Sequence, residues 1–424
     1  MKKLLILAVA AMLTVAAQAQ DFEKYFNNQT LRIDYTFSGN VQRQDIYVDK
    51  LNKMPGWYGK KKHLADVPVE GNGQIIVKDH STQLVIYRNS FSTLFQEWLS
   101  YDEAKKEKKS FENVFLVPFP KQTVDITVNL YNNRRQVMTT LTHQVNPDDI
   151  LIRRLGDKLR APFITLQEAT DTNRCIHIAY VAEGYRQEEM GTFINDAKLA
   201  MEALFSHEPY KQMKDRFNLI AVMSPSAESG TSEPSKGIWK NTALSSHFDT
   251  FYSDRYLTTL NLKDLHNWLA GTPYEHIIVL VNTEKYGGGG ILNSYNLSMA
   301  HHPKFRPVVV HEFGHSFAGL GDEYAYENEA IPMYPSDVEP WEPNLTTLKN
   351  FKGKWENMID KNTPIPTPAT KEYANKVGVY EGAGYSLNGV YRGMQDCRMR
   401  TNEYPEFCPI CRQALEKLIK FYTE

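Results

Sequence analysis

Five consecutive residues, His311-Glu312-Phe313-Gly314-His315, have the types and spacing to hold a metal ion and to move a proton. On an α-helix, residues four apart stand one turn above each other on the same face, so both imidazoles can reach one ion. Glu312 follows the first histidine and can approach a water on that ion without being a ligand itself. A helix is expected here. Pro307 suits its first turn, and Val309, Val310, Phe313, Phe317 and Leu320 recur at helical spacing as a core face. The helix should stop near Gly319 to Gly321, because glycine permits the reversal a helix end needs. That turn can bring Asp322 back under the metal. Two imidazoles and a carboxylate leave one tetrahedral position for water, as a catalytic zinc site requires. Zinc would acidify that water and polarise a carbonyl. Glu312 would take the proton and later pass it to the leaving amine. For the third ligand, Glu323 is the nearest competitor of Asp322, and a distant Glu or Asp the next. Manganese, cobalt or nickel could occupy the same donors.

The elements that must position this segment change character along the chain. Residues 20 to 150 read as short strands. Leu31 to Phe37 and Val124 to Leu130 alternate apolar and polar, and Gln74 to Lys78 and Gln83 to Tyr87 are short aliphatic runs between turn residues. That pattern predicts an antiparallel β-sandwich, with no cluster of catalytic spacing in it. Pro147 to Gln167 reads as a connector. Residues 151 to 424 then read as an α/β catalytic domain: strands at Ile176–Ala182, Phe217–Met223 and Ile277–Asn282, and a helix over 187–206. The fold class expected is α+β.

The segment Gly319-Leu320-Gly321-Asp322-Glu323-Tyr324 that follows the two histidines, the upstream Tyr286-Gly287-Gly288-Gly289-Gly290, and the downstream Tyr391-Arg392 and Cys397-Arg398-Met399 resemble the bacterial IgA-peptidase-type zinc metallopeptidases. The resemblance covers most of residues 160 to 424 and, more loosely, the N-terminal sandwich. It implies a metzincin-like catalytic domain with one catalytic zinc held by His311, His315 and Asp322, and with Glu312 as the base. Gly319 and Asp322 each lie one residue later than in the common metzincin spacing. The resemblance also implies a methionine turn beneath the metal, supplied by Met399, with Met394 the second choice; otherwise Met399 reads as core. Gly287 to Gly290 is either a flexible hairpin or, as Gly288, Gly289 and Gly290 with the residues after them, a cleft edge on which an extended substrate pairs.

Other histidines and serines read as structural. His301-His302 suits a solvated loop, His177 a satisfied core position, and Ser229-Gly230-Thr231-Ser232 lacks a nucleophile elbow. Cys175 stands alone, whereas Cys397, Cys408 and Cys411 fall close together. They read first as a disulfide or buried free thiols, then as half of a zinc knuckle with no second pair in sight, and last as a redox pair. Met1-Lys2-Lys3, an apolar run from Leu4 to Ala17 and Ala17-Gln18-Ala19 make residues 1–19 a signal peptide. No later run is apolar enough to span a membrane, and a soluble mature protein in the periplasm, at the cell surface or outside the cell is expected. The charges nearly cancel, 48 Lys+Arg against 50 Asp+Glu, so neither nucleic acid nor anionic membrane is implied as a partner. No feature specifies an oligomeric state. The leading expectation is a secreted endopeptidase acting on extracellular protein, immunoglobulin A among the candidates. A surface protein that binds glycan or protein through the sandwich, with an inactive or highly specialised peptidase domain, is the alternative. Hydrolysis of a non-peptide amide is a third reading.

Overall fold

The computed structural model describes residues 21–326 and 333–424, so the leader expected at 1–19 lies outside the described residues. The first part of the chain runs α1 (Phe22–Tyr25), β1 (Phe26–Gly39), β2 (Gln44–Pro55), β3 (Gly73–Asp79), β4 (Val85–Phe91), α2 (Leu94–Trp98), β5 (Lys109–Pro120), β6 (Val124–Tyr131), β7 (Val137–Val145) and β8 (Arg153–Arg154). It forms two four-stranded sheets, ordered β5-β1-β2-β8 and β4-β3-β6-β7. All pairs are antiparallel except the two-residue β2–β8 pair. The alternation in β6 places Ile126, Val128 and Leu130 inward, where they share one core with Ile33, Tyr35 and Phe37 of β1.

The second part runs β9 (Phe163–Gln167), β10 (Ile176–Glu183), α3 (Met190–Phe205), β11 (Phe217–Val222), α4 (Leu262–Leu269), β12 (His276–Val281), β13 (Gly288–Ile291), β14 (Tyr295–Met299), α5 (Phe305–Ala318), β15 (Leu345–Thr346), β16 (Tyr380–Ala383), β17 (Ser386–Arg392) and α6 (Pro409–Thr423). Six strands make one sheet, ordered β13-β14-β12-β10-β11-β9. Its four inner strands are parallel, and β13 and β9 are antiparallel at its edges. Strands buried on both faces read as continuous apolar runs, which is how β10 and β12 appear in the sequence. Ile178 and Tyr180 face α3, α5 and α6, whereas Ala179 and Val181 join the core of the sandwich and α4. The architecture is α+β, as expected. The stretch 147–167 is not the plain connector that its sequence suggests. Arg153–Arg154 adds to the first sandwich sheet, and Phe163–Gln167 becomes an outer strand of the six-stranded sheet. Runs of two and five residues are too short to show a period.

The middle of the polar face of β1, from Thr30 to Asp34, is not solvated. Arg32 is 1% exposed, and its Nε donates to Asp34 Oδ1 at 2.7 Å. From there it reaches across to α4, donating to Asn267 Oδ1 at 2.9 Å and to the Lys263 carbonyl at 3.1 Å. The N-terminal sheets are thereby tied to α4 of the second part by a buried charge. Arg32→Ala would leave the Asp34 carboxylate with the Asn52 amide as its remaining donor. It should destabilise the protein by about 3–5 kcal/mol, whereas replacing Arg32 and Asp34 together by apolar residues of similar size should cost far less. Denaturant midpoints of the two variants check this.

Candidate metal centre

Helix α5 carries the motif with its apolar stripe inward: Val309, Val310, Phe313 and Phe317 are all buried, and the Phe313 and Phe317 rings stack at 5.0 Å. Pro307 falls in its first turn. The helix ends at Gly319, in the left-handed region with φ +59°, and the Leu320 N–H turns back to the Gly314 carbonyl. A side chain at 319 would also strike Trp341 and Val69. The reversal returns the chain to the helix face, so that Asp322 Oδ1 lies 3.1 Å from His311 Nε2 and 3.3 Å from His315 Nε2. The two Nε2 atoms are 3.0 Å apart. Donors about 2.0–2.1 Å from a tetrahedral ion stand about 3.3 Å from each other. Glu323, the rival third ligand, points elsewhere: its Oε1 lies 3.1 Å from Cys411 Sγ.

The hydrogen bonds around the triad set which nitrogens are free. His311 Nδ1 donates to the Arg398 carbonyl at 3.0 Å, and His315 Nδ1 donates to the Leu320 carbonyl. Each bond leaves an Nε2 lone pair aimed at the centre. Asp322 Oδ1 is buried there without a hydrogen-bond partner, while Tyr385 Oη donates to the other oxygen at 2.6 Å. Three electron-rich atoms therefore converge on one point, an arrangement that favours a cation. Burial works against a charged His315, yet the Asp322 carboxylate outweighs it and raises the imidazole to about 9. The same donor set, two imidazoles and one carboxylate, fits a metal ion, and the three residues group as such. Glu312 is adjacent, and burial holds its carboxyl above the usual range while His311 and His315 pull it down.

Gly288, Gly289 and Gly290 lie in β13, the outer arm of the β13–β14 hairpin at the edge of the six-stranded sheet. A Cβ on Gly288 would lie 2.6 Å from Glu312 Oε1, and one on Gly290 would lie 2.5 Å from the Glu312 carbonyl oxygen and 2.9 Å from His315 Cβ. Only glycine lets β13 lie this close to α5. Its outward edge is partly taken: Gly288 N–H donates to the Arg255 carbonyl, and its carbonyl accepts from the Leu257 N–H at 3.3 Å. An added strand would find Gly288 already paired. Met399 lies beneath the helix, where a Cβ on Gly314 would be 2.9 Å from its Sδ, and its carbonyl accepts from the Glu323 N–H at 2.8 Å. Met394 is buried in the same core without such a contact to Gly314.

Two contributors carry no local signal in the sequence. Tyr385, at φ +57° between β16 and β17, supplies the hydroxyl on Asp322. Glu97 comes from α2 of the sandwich half, which had shown no catalytic spacing. It accepts from Tyr256 Oη at 2.6 Å, burial pushes its carboxyl up to about 7, and it lies within electrostatic reach of Asp322, His315 and Glu312. His177 is the satisfied core histidine expected, bonded to the Tyr58 carbonyl. His301 pairs with Asp196 on α3 at 2.9 Å.

Gly290→Ala must push β13 off α5, since the clash is with backbone. It should cost about 1–3 kcal/mol. At Gly191, on the open side of α3, nothing lies within 4 Å of an added Cβ. Gly191→Ala should stabilise by about 0.4–1 kcal/mol. Melting temperatures of the pair separate the two cases.

Comparison with protein families bears on the same residues. The model described as IgA Peptidase M64 matches residues 164–375 and 369–419, and the model described as Peptidase M64 N-terminus matches residues 21–142. Comparison with curated proteins returns no match. The first match spans more than half of the chain and contains the helix, both histidines, Asp322 and the Met399 turn. The protein belongs to the IgA peptidase M64 family, and is thus a metallopeptidase whose substrates are proteins or peptides.

Proposed function

We propose that this protein is an exported zinc endopeptidase in which His311, His315 and Asp322 hold the metal and Glu312 is the general base. The observation that carries the reading is the convergence of two imidazole lone pairs and an unpartnered buried carboxylate oxygen within 3.3 Å of one another. Bound zinc supplies Lewis acidity, polarising the scissile carbonyl and acidifying a water. Glu312 takes a proton from the attacking water and returns it to the leaving amine. Tyr385 positions Asp322 by occupying its second oxygen, and the Arg398 and Leu320 carbonyls hold the rings in register. Met399 packs under the helix as the methionine turn. The β13 edge and the residues after it border the cleft, where an extended peptide would run. The substrate class is extracellular protein, with immunoglobulin A the candidate that the family description supplies.

Residues 1–19 act as the export signal in this reading. Among the described residues no helix is long and apolar enough to cross a membrane. N-terminal sequencing of protein recovered from the periplasm or medium should begin near Gln20 or Asp21, and an intact Met1 there would refute export by cleavage.

The deciding experiment compares metal content and casein cleavage of the mature protein and of Glu312→Ala. The variant should keep its catalytic-site zinc and lose about a hundred- to ten-thousandfold in rate. His311→Ala should lose that metal together with the activity, and chelation followed by added zinc should remove and restore cleavage in the wild type. A metal-free wild type that added zinc neither binds nor activates would sink the reading.

A further inference from the structure

The three clustered cysteines are not resolved by the activity above. All are buried and none is in a disulfide, and the fourth cysteine, Cys175, lies elsewhere, beside His177 and Asn218. Cys397, Cys408 and Cys411 converge with Glu323, which is fully buried. We propose that Glu323, Cys397, Cys408 and Cys411 form a second, structural zinc site behind the catalytic centre.

The distances fit a tetrahedral ion. One donor atom from each residue lies within 4.8 Å of all the others. Cys397 Sγ and Cys411 Sγ are 3.8 Å apart, and Glu323 Oε1 is 3.1 Å from Cys411 Sγ and 3.9 Å from Cys408 Sγ. Sulfurs about 2.3 Å from zinc stand about 3.8 Å apart, and an oxygen ligand stands about 3.5 Å from each sulfur. A disulfide would need about 2.05 Å between the two sulfurs, and it would use only two of the four groups.

The surroundings match what metal-bound thiolates and carboxylates require. Cys397 Sγ accepts backbone N–H bonds from Cys408 at 3.2 Å and from Met399 at 3.4 Å. Such outer bonds orient ligands and spread their charge. Cys408 caps α6 and Cys411 lies in its first turn, where the helix N-terminus favours thiolates. Asn344 Nδ2 donates to Glu323 Oε1 at 2.9 Å, while Glu323 Oε2 is buried with no partner at all. A carboxyl enclosed among three sulfurs and apolar side chains is expensive without a counter-charge, and a divalent ion offsets it. Arg392, itself nearly buried, lies within electrostatic reach and balances part of the excess negative charge. Thiolate-rich donor sets select zinc over the hard cations.

The site would also explain how the catalytic loops are held. Its ligands come from three segments, of which the one bearing Glu323 is more than seventy residues from the others. Glu323 follows Asp322, Cys397 precedes Met399 by two residues, and Cys408 and Cys411 open α6. One ion there clips the Asp322 turn and the Met399 turn to the terminal helix.

The test uses the full mature chain carrying His311→Ala and His315→Ala, so that the catalytic site contributes no metal. Loaded with zinc under reducing conditions, it should retain about one ion per chain, with sulfur neighbours near 2.3 Å by X-ray absorption. Loaded with cobalt, it should show near-ultraviolet thiolate-to-cobalt absorption. Adding Cys408→Ser and Cys411→Ser should abolish both signals. The wild type should hold about two ions. A histidine variant that binds no zinc and shows no cobalt–thiolate band overturns the proposal. So does exported wild-type protein whose non-reduced mass and thiol count reveal a Cys397–Cys411 disulfide. Neither outcome bears on the catalytic triad, whose metal is read separately in the wild type.

Discussion

A carboxylate oxygen held between two imidazole nitrogens, where positive charge must balance it, is the interaction around which the second half of the chain is arranged. Asp322 has no reason to sit there on its own account, since like-polarity atoms at 3.0 to 3.3 Å repel unless positive charge joins them. The surrounding structure overrides that repulsion. Gly319 reverses the chain, Tyr385 grips the far oxygen of Asp322, and the Met399 segment clamps the next residue through the Glu323 N–H. Preorganisation of this kind leaves a bound ion little to rearrange.

Close approach is the second constraint. Strand β13 lies against α5 at a distance that no Cβ at 288 or 290 would permit, and the Met399 thioether occupies the space a side chain at 314 would take. Glycine here serves proximity rather than unusual dihedral angles, because none of these three has a positive φ. The helix is thus enclosed from opposite sides, and the histidines project from a backbone that cannot drift.

The N-terminal sheets are part of the same body of packing. One apolar cluster runs from Phe37 and Phe115 through Leu265 to Val279 and Leu297. Polar links accompany it: Arg32 to α4, Ser90 to Asn293, Asn72 to Trp341. Through α2 the sandwich half also places Glu97 in the electrostatic environment of the triad. Contact alone makes these sheets part of the packing that supports the six-stranded sheet and α4.

Local order was legible in the residues. The four-residue spacing of His311 and His315, the apolar stripe on α5, the glycine stop at 319 and the alternation of β1 and β6 all express short-range geometry, in which neighbours in sequence are neighbours in space. Even Asp322 could be reached, because the reversal that delivers it is three residues long. What the chain concealed depends on long-range closure. Glu323 meets cysteines more than seventy residues away, Tyr385 meets Asp322 sixty-three residues on, and Glu97 nears the triad from the other half of the molecule. Cys408-Pro409-Ile410-Cys411 has the spacing of half a metal knuckle, but the groups that meet it in space are one carboxylate and one cysteine from separate loops. No spacing rule joins them. Short-range pattern set the long elements and the chemistry that each could carry, though not the short strands at Arg153–Arg154 and Phe163–Gln167. Only the packing of sheet, helices and sandwich decided which of those groups share a few cubic ångströms, since that choice rests on the burial of apolar faces far apart along the chain.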